Sequence, residues 1–232
     1  MILLAVDTSG PVCGVALMED GHVRYEAMVK NKMTHSENMM PMVEEAFLKT
    51  GLSVDDVALF SVVVGPGSFT GVRLGVSAVK ALCHAGGGKA IAVDALEATA
   101  NAARYFDGVI CPVQDARAGQ VYGACFEGNT MVRLLDDEPI KVELFCEKVK
   151  ALGRRALFLG DGTLVHREKI ERELGELAVF APAHLNYLRP ASVAELAWHK
   201  QEQAVDYLTL QPMYLRAPQA ERQKNLVEKG HE

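Results

Sequence analysis

The chain has 232 residues, 49% of them hydrophobic and 23% charged, which is enough apolar sequence for one large domain or two smaller ones sharing a core. Its formal net charge of −6 argues against general attraction to a nucleic-acid backbone, which requires a clustered basic surface. Apolar runs stop well short of the ~20 residues that span a membrane, and the N-terminus lacks a basic leader, so we expect a cytoplasmic protein without a membrane anchor. The five cysteines form no Cys-x-x-Cys pair, a pattern typical of buried free thiols.

The first half of the chain predicts strands and helices in a fixed order. Three β-rich runs separated by turn residues, ILLAVDT, VCGVALMED and HVRYEAMVK, predict three antiparallel strands. HSENMMPMVEEAFLKTG has helical spacing and stops at Gly51, although Pro41 implies either a start near Asn38 or a bend. A strand LFSVVVG, a helix from about Ser68 to Ala85, a strand AIAVD and a helix from Ala95 to Tyr105 follow.

This order of elements occurs twice in the sequence. LLAVDTSGPVCGVALME aligns with CPVQDARAGQVYGACFE, with one inserted residue, so that Asp7 lies opposite Asp115 and Gly14 opposite Gly123. Downstream, VVVGPG is matched by LFLGDG, again an apolar strand that ends in Gly-x-Gly. Duplication of a βββαβα unit explains these matches, although two unrelated β-hairpins can produce a similar alignment.

We therefore predict an α/β protein of two lobes. Residues 1–101 form the first lobe and carry the partner-binding helices, because the second β-rich unit begins at Val109. Residues 102–206 form the second, degenerate lobe. In the C-terminal segment 207–232, YLTLQPMYLR is expected to return to the first lobe and the remainder to be a tail.

Several motifs resemble one particular family. Two facing βββαβα units are similar to the actin-like (ribonuclease H-like) architecture of actin, sugar kinases and Hsp70-type ATPases, which bind nucleotide between their lobes. AVDTS, HSENMMP, VVGPGSFTGVRLGVSAVKAL, DARAGQVY and YLRAPQAER together resemble the TsaB family of tRNA threonylcarbamoyladenosine (t6A) biosynthesis. The resemblance extends over nearly the whole chain, and GPGSFTGVRLG is its most specific piece.

The architecture implies that the turns after the first strand of each half approach nucleotide phosphates. The candidate nucleotide- or phosphate-binding residues are Asp7, Thr8, Ser9, Gly65, Gly67, Ser68, Thr70 and Asp115. For Asp7 the alternative is an Asx-turn to its own backbone. The glycine-rich turn either binds an anion at the start of the next helix or is a tight connection whose glycines let that helix pack on the sheet. It is not a Walker A loop, because no Gly-Lys-Ser/Thr triplet follows.

Catalytic groups are not evident in the sequence. The larger TsaD relatives carry a metal-binding His-x-x-x-His pair, whereas here His35 is followed at that spacing by Met39. The Gly-x-Ser-x-Gly elbow of hydrolases is also missing. We therefore predict no catalytic residue, no metal site and no intrinsic cofactor.

The first two helices are predicted to bind a partner. Met33, Met39, Met40 and Met42 fall within ten residues and give the first helix two apolar faces, one of which is either exposed for a partner or buried within the chain. The resemblance implies pairing with TsaD through these helices. The residues expected at that interface are His35, Met39, Met42, Val43, Ala46, Phe47, Val72, Val76 and Val79.

The sequence thus leads to the hypothesis of a non-catalytic scaffold for threonylcarbamoyl transfer to tRNA. The resemblance implies pairing with TsaD, docking of the ATPase TsaE on that pair, and ATP or ADP near their junction. tRNA would be contacted indirectly through the complex, and the chain alone could form a homodimer. One alternative is a small-molecule kinase that uses Asp7 to hold Mg·ATP. A glycoprotease-type peptidase ranks last, since no nucleophile can be nominated.

Overall fold

Two mixed five-stranded sheets, one from each half of the chain, organise the fold. The computed structural model describes residues 1–216. The first half contains β1 (Ile2–Asp7), β2 (Cys13–Glu19), β3 (His22–Val29), α1 (His35–Thr50), β4 (Val57–Gly65), α2 (Phe69–Gly86), β5 (Lys89–Asp94) and α3 (Ala95–Asn101). The second contains β6 (Val109–Asp115), β7 (Gln120–Glu127), β8 (Arg133–Lys141), α4 (Val142–Ala151), β9 (Ala156–Leu159), α5 (Gly162–Leu174), β10 (Ala178–Phe180) and α6 (Pro190–His199).

The two sheets have the same topology. The first has the order β3-β2-β1-β4-β5, and the second has the matching order β8-β7-β6-β9-β10. In each sheet the first three strands are antiparallel, and the last two run parallel to the first. The predicted duplicated βββαβα fold is therefore confirmed, and β6 begins at Val109 as expected.

One detail of the predicted repeat is wrong. Asp7 and Asp115 do occupy equivalent positions, at the ends of β1 and β6. However, Gly14 pairs with Asp7, whereas Gly123 pairs with Val113. The two glycines therefore occupy different positions along their strands. They also have different neighbours, since a side chain at Gly14 would contact Pro190 and one at Gly123 would contact Phe145.

The structure fixes the ends of two predicted helices. The first begins at His35, at the start of the predicted stretch, and not near Asn38, the later start that Pro41 left open, because the Thr34 hydroxyl and N–H both donate to the Glu37 carboxylate at 2.7 Å and organise the first turn ahead of Pro41. The third ends at Asn101 rather than at Tyr105, and the chain continues in tight turns toward β6.

Side chains of the central strands alternate between two apolar layers. In β1, Ile2, Leu4 and Val6 face the layer that contains buried residues of α1 and α2, whereas Leu3 and Ala5 face the layer that contains α6. This period-two pattern places helices on both faces of the first sheet. All six strand residues are buried, so β1 lies at the centre of the lobe.

The two halves exchange helices across their junction. Leu96 and Ala100 of α3 pack against the second sheet, in a cluster with Ile110 and Phe126. Conversely, Val193 and Ala197 of α6, together with other α6 residues, pack against the first sheet. The helix α3, which follows the first sheet in the sequence, therefore covers one face of the second sheet, and α6, which follows the second sheet, covers one face of the first.

The segment after α6 lies against the first lobe. Leu210 is 2% exposed and belongs to the core beneath α1 and α2. The Met213 N–H donates to the carbonyl oxygen of Val64 at 2.7 Å. The predicted tail beyond residue 216 lies outside the described residues. Within residues 1–216, none of the helices has the length and apolar composition that crossing a membrane requires.

Candidate interlobe site

The turn after β1 is held by its own aspartate. Asp7 is 2% exposed, and its Oδ1 accepts hydrogen bonds from the Ser9 N–H at 2.8 Å and from the Ser9 hydroxyl at 2.6 Å. This is the Asx-turn that the sequence offered as the alternative to phosphate binding. Burial raises the pKa of Asp7 above its usual value, while the Ser9 hydrogen bonds and the nearby His35 oppose that increase.

The glycine-rich connection between β4 and α2 packs directly on this turn. A Cβ atom at Gly67 would lie 2.4 Å from the carbonyl oxygen of Ser9, and one at Gly71 would lie 2.0 Å from that of Thr8. The Ser68 N–H donates to the Ser9 carbonyl oxygen at 2.7 Å, so this N–H at the start of α2 is bonded within the chain. The glycines thus allow the backbone of α2 to approach β1, as in the packing alternative.

Hydrogen bonds at the start of α2 complete this contact. The Ser68 hydroxyl oxygen accepts the Gly71 N–H at 3.3 Å and caps the helix. The Thr8 hydroxyl donates to the Gly71 carbonyl oxygen at 2.7 Å. Gly65 lies against another part of the chain, the backbone of Met213, whereas Thr70 is exposed. The structure therefore brings Thr8, Ser9, Gly67 and Ser68 together and leaves Thr70 apart.

The second half forms an equivalent turn after β6. Oδ1 of Asp115 accepts the Arg117 N–H at 3.1 Å, which repeats the Asx-turn of Asp7. The same oxygen lies 3.2 Å from Nε2 of His166, a residue of α5 that is 4% exposed. Nothing in the sequence distinguished His166 from the other isolated histidines, because its proximity to Asp115 arises only when α5 packs on β6.

Asp161 is a further acidic residue that the sequence did not identify. It precedes α5 in the GDGT turn, which the sequence identifies only as the counterpart of the glycine-rich turn of the first half. Burial, reinforced by the negative charge of Asp115, raises the pKa of Asp161 to about 6 against the effect of backbone hydrogen bonds. Its carboxyl group therefore changes charge near neutral pH, unlike an exposed aspartate.

Asp7 and Asp161 line opposite sides of one small cavity between the lobes. Its walls also include Gly10, Gln114 and Tyr187, and its volume is about 10 Å³. That volume accommodates about one water molecule. Among residues 1–216, the buried Oε1 atom of Gln114 has no hydrogen-bond partner. Pockets for small ligands usually measure several hundred Å³, so this cavity is far smaller than a typical nucleotide site.

Most of the residues expected at the partner interface lie inside the first lobe. Buried in its core are Met39, Met42, Val43, Ala46, Val72, Val76 and Val79, while Phe47 is half-buried against them. His35 is also half-buried, with Nε2 2.9 Å from the carbonyl oxygen of Gly10. The second apolar face of α1 points outward, with Met40 45% and Leu48 78% exposed.

Comparisons with known proteins place the chain in a family. A family model described as TsaD, tRNA N6-adenosine threonylcarbamoyltransferase, matches residues 30–224. A TsaB protein of Bacillus subtilis, named for tRNA threonylcarbamoyladenosine biosynthesis, is 35% identical over 95% of this chain and 96% of its own length. The chain belongs to the TsaB family. The resemblance drawn from its motifs is therefore confirmed.

Solved structures agree with this family and with the fold. A Pseudomonas aeruginosa protein described as similar to the peptidase YeaZ is 26% identical, with a TM-score of 0.78 over 93% of this chain and 99% of that one. The ROK hexokinase of Thermus thermophilus is 13% identical, with a TM-score of 0.50 over 85% of this chain and 100% of that one. The second likeness concerns the fold alone: the hexokinase shares the overall α/β architecture of this TsaB chain.

Proposed function

We propose that this TsaB chain takes part in t6A synthesis on tRNA as a non-catalytic subunit that scaffolds a TsaD partner. The observation that carries the proposal is its 35% identity with a TsaB protein over nearly the full length of both chains. The match of residues 30–224 to the TsaD family supports a shared origin with the transferase. Its role would be to stabilise the active form of the partner.

The interlobe site supports a scaffold more than a kinase. Asp7, the carboxylate that a kinase of this fold would direct at Mg·ATP, accepts two hydrogen bonds from Ser9 and is buried. The cavity beside it has a volume of only about 10 Å³. ATP or ADP would therefore bind where this chain meets its partner, near the site at which TsaE docks, rather than inside this cleft.

The outward face of α1 is the surface proposed for TsaD. Met40 and Leu48 are 45% and 78% exposed, and Met33 just before the helix is 52% exposed. Glu37 and Glu44 lie on the same side of the helix, since all these positions in α1 fall within about a quarter turn of one another. A helix face on which exposed apolar side chains alternate with carboxylates suits a partner helix that presents both apolar and cationic side chains.

The buried methionines of α1 would support this surface from beneath. Met39, Met42 and Val43 fix α1 on the first sheet and thereby orient its outward face. The same face could form homodimers when TsaD is absent, because its exposed apolar side chains can pack against those of a second copy. tRNA would be contacted mainly by the partners, in line with the net charge of −6.

The proposal can be tested by complementation. A strain depleted of its own TsaB would receive this chain, a Met40→Glu/Leu48→Glu variant, or Leu164→Glu, which alters a 55% exposed leucine on α5 as a matched control. We expect the natural chain and the control to restore t6A, measured by mass spectrometry of digested tRNA, and to co-purify TsaD. With the double variant, both the t6A level and the amount of co-purified TsaD should fall at least about tenfold. A tenfold loss of affinity for TsaD corresponds to ~1.4 kcal/mol.

Each part of the proposed function is contradicted by a different result. Failure of the natural chain to restore t6A, with TsaD and TsaE supplied from the same organism, would contradict the proposed function. Full activity of the double variant would contradict the α1 surface alone. ATP-dependent phosphorylation of a small molecule by the isolated chain, lost in Asp7→Ala, would favour the kinase.

A further inference from the structure

A groove on the side of the molecule away from α1 has no role in the proposed function. Its volume is about 580 Å³, within the range typical of small-ligand sites. It lies between the end of α3, the helix α6 and the β2–β3 hairpin, and the turn around His184 closes one side. The exchanged helices α3 and α6 thus form two of its walls.

Two N–H donors at the edge of this groove lack acceptors. Among residues 1–216, Nδ2 of Asn101 and Nε of Arg104 are buried and have no hydrogen-bond partner. Asn101 is only 4% exposed, and both residues line the groove. A buried donor without an acceptor is costly, so this pair favours a ligand that supplies acceptor atoms.

Aromatic and acidic side chains line the same groove. Tyr105 is 82% exposed, with the guanidinium of Arg104 5.6 Å from its ring centre, and Trp198 of α6 also lines the groove. Oε1 of Glu195 lies 3.8 Å from Nη1 of Arg104 and 3.9 Å from Nε2 of His199, and the Glu195 side chain is 45% exposed. The groove therefore offers aromatic surfaces for stacking, a carboxylate for a hydroxyl or amino group and, beneath its surface, two donors without acceptors.

We propose that this groove binds a single unstacked nucleotide through its base. A base has a planar face for Tyr105 or Trp198, acceptor atoms for the Asn101 and Arg104 donors, and an amino group or ribose hydroxyl for Glu195. The phosphate plays a secondary part, since Glu195 already partners Arg104. A free mononucleotide and an unpaired residue of RNA present the same chemistry. The proposal is independent of t6A synthesis, because it concerns binding to the isolated chain.

The only tryptophan of the chain makes the test direct, because Trp198 lines the groove. Its fluorescence, excited at the red edge of its absorption, would be titrated with AMP, a single-stranded oligoadenylate, a duplex RNA and inorganic phosphate, with calorimetry as a second readout. We expect saturable quenching by AMP, by the oligoadenylate, or by both. Quenching by AMP indicates the free nucleotide as a source, and quenching by the oligoadenylate alone indicates RNA.

Variants distinguish the groove from other binding surfaces. Tyr105→Ala removes a highly exposed ring and should weaken binding by about 5- to 150-fold, the range observed for loss of one stacked base. Arg104→Gln should also weaken it, whereas Arg172→Gln, an exposed arginine on α5, should not. The proposal is overturned if neither AMP nor the oligoadenylate binds, if phosphate or duplex RNA binds as well as they do, or if Tyr105→Ala binds normally.

Discussion

Thr8 and Gly71 are 63 positions apart in the sequence, yet the Thr8 hydroxyl donates to the Gly71 carbonyl oxygen at 2.7 Å. At the same place a Cβ atom on Gly71 would lie 2.0 Å from the carbonyl oxygen of Thr8. This contact joins the turn after β1 to the first turn of α2. It explains why the sequence requires glycine here for packing, independently of any bound anion.

Gly71→Ala should therefore destabilise the protein. Alanine is normally preferred over glycine in a helix by ~1 kcal/mol, but here its methyl group would collide with backbone that cannot move aside. We expect a loss of about 2–3 kcal/mol in the free energy of unfolding, measured by urea denaturation. Gly10→Ala is the control, since no atom lies within 4 Å of a Cβ atom at that position. Equal stability of the two variants would contradict the packing argument.

Adjacent methionines of α1 should respond differently to truncation. Met39 is 2% exposed and Met40 is 45% exposed. Met39→Ala should cost about 2–5 kcal/mol in stability, because it leaves a cavity under the helix. Met40→Ala should change stability by no more than about 0.5 kcal/mol. Similar unfolding midpoints for both variants would show that the two faces of α1 are assigned incorrectly.

Asp161 should make stability depend on pH. The pKa of this half-buried carboxyl is about 6 in the folded chain, above the ordinary value of 3.8. Below pH ~4 the carboxyl is protonated in both the folded and the unfolded chain, so its burial does not reduce stability. As pH rises through about 6, its ionisation lowers the free energy of unfolding by up to about 3 kcal/mol. Asp161→Asn removes this ionisation, so its stability relative to the natural chain should increase between pH 4 and 7.

Thermal unfolding across that pH range checks this expectation. The control is Asp136→Asn, which removes an exposed carboxylate elsewhere on the second lobe. A stability difference between the Asp161→Asn variant and the natural chain that stays constant with pH would be incompatible with a raised pKa at Asp161.

The C-terminal segment should be coupled to α2 through two side chains. Nε of Arg73 donates to the Tyr214 hydroxyl at 2.7 Å, and the Tyr214 ring stacks on Phe69 with centres 4.8 Å apart. A double-mutant cycle of Arg73→Ala and Tyr214→Phe should give a coupling energy of about 0.5–1.5 kcal/mol, measured by denaturation. Strict additivity of the two substitutions would mean that this hydrogen bond does not form in solution.

Local patterns in the sequence were sufficient to locate some parts of the site. Asp7 and Asp115 follow apolar strands and precede turn residues, so their equivalence could be read from strand and turn signals alone. Asp161 and His166 could not be placed, because their contact with Asp115 requires α5 to pack beside β6. Periodicity similarly revealed two apolar faces on α1. It could not identify the one containing Met40 as exposed, since that choice depends on how the helix sits on the sheet.

The exchange of α3 and α6 has a consequence for synthesis of the chain. The first sheet is complete in sequence once β5 has been made, but the helix that covers one of its faces ends only at His199. Leu210, which fills the core on the other face, comes later still. On the ribosome, apolar surface of the N-terminal lobe therefore stays uncovered until α6 and Leu210 have been translated, and neither half can reach its final packing by itself.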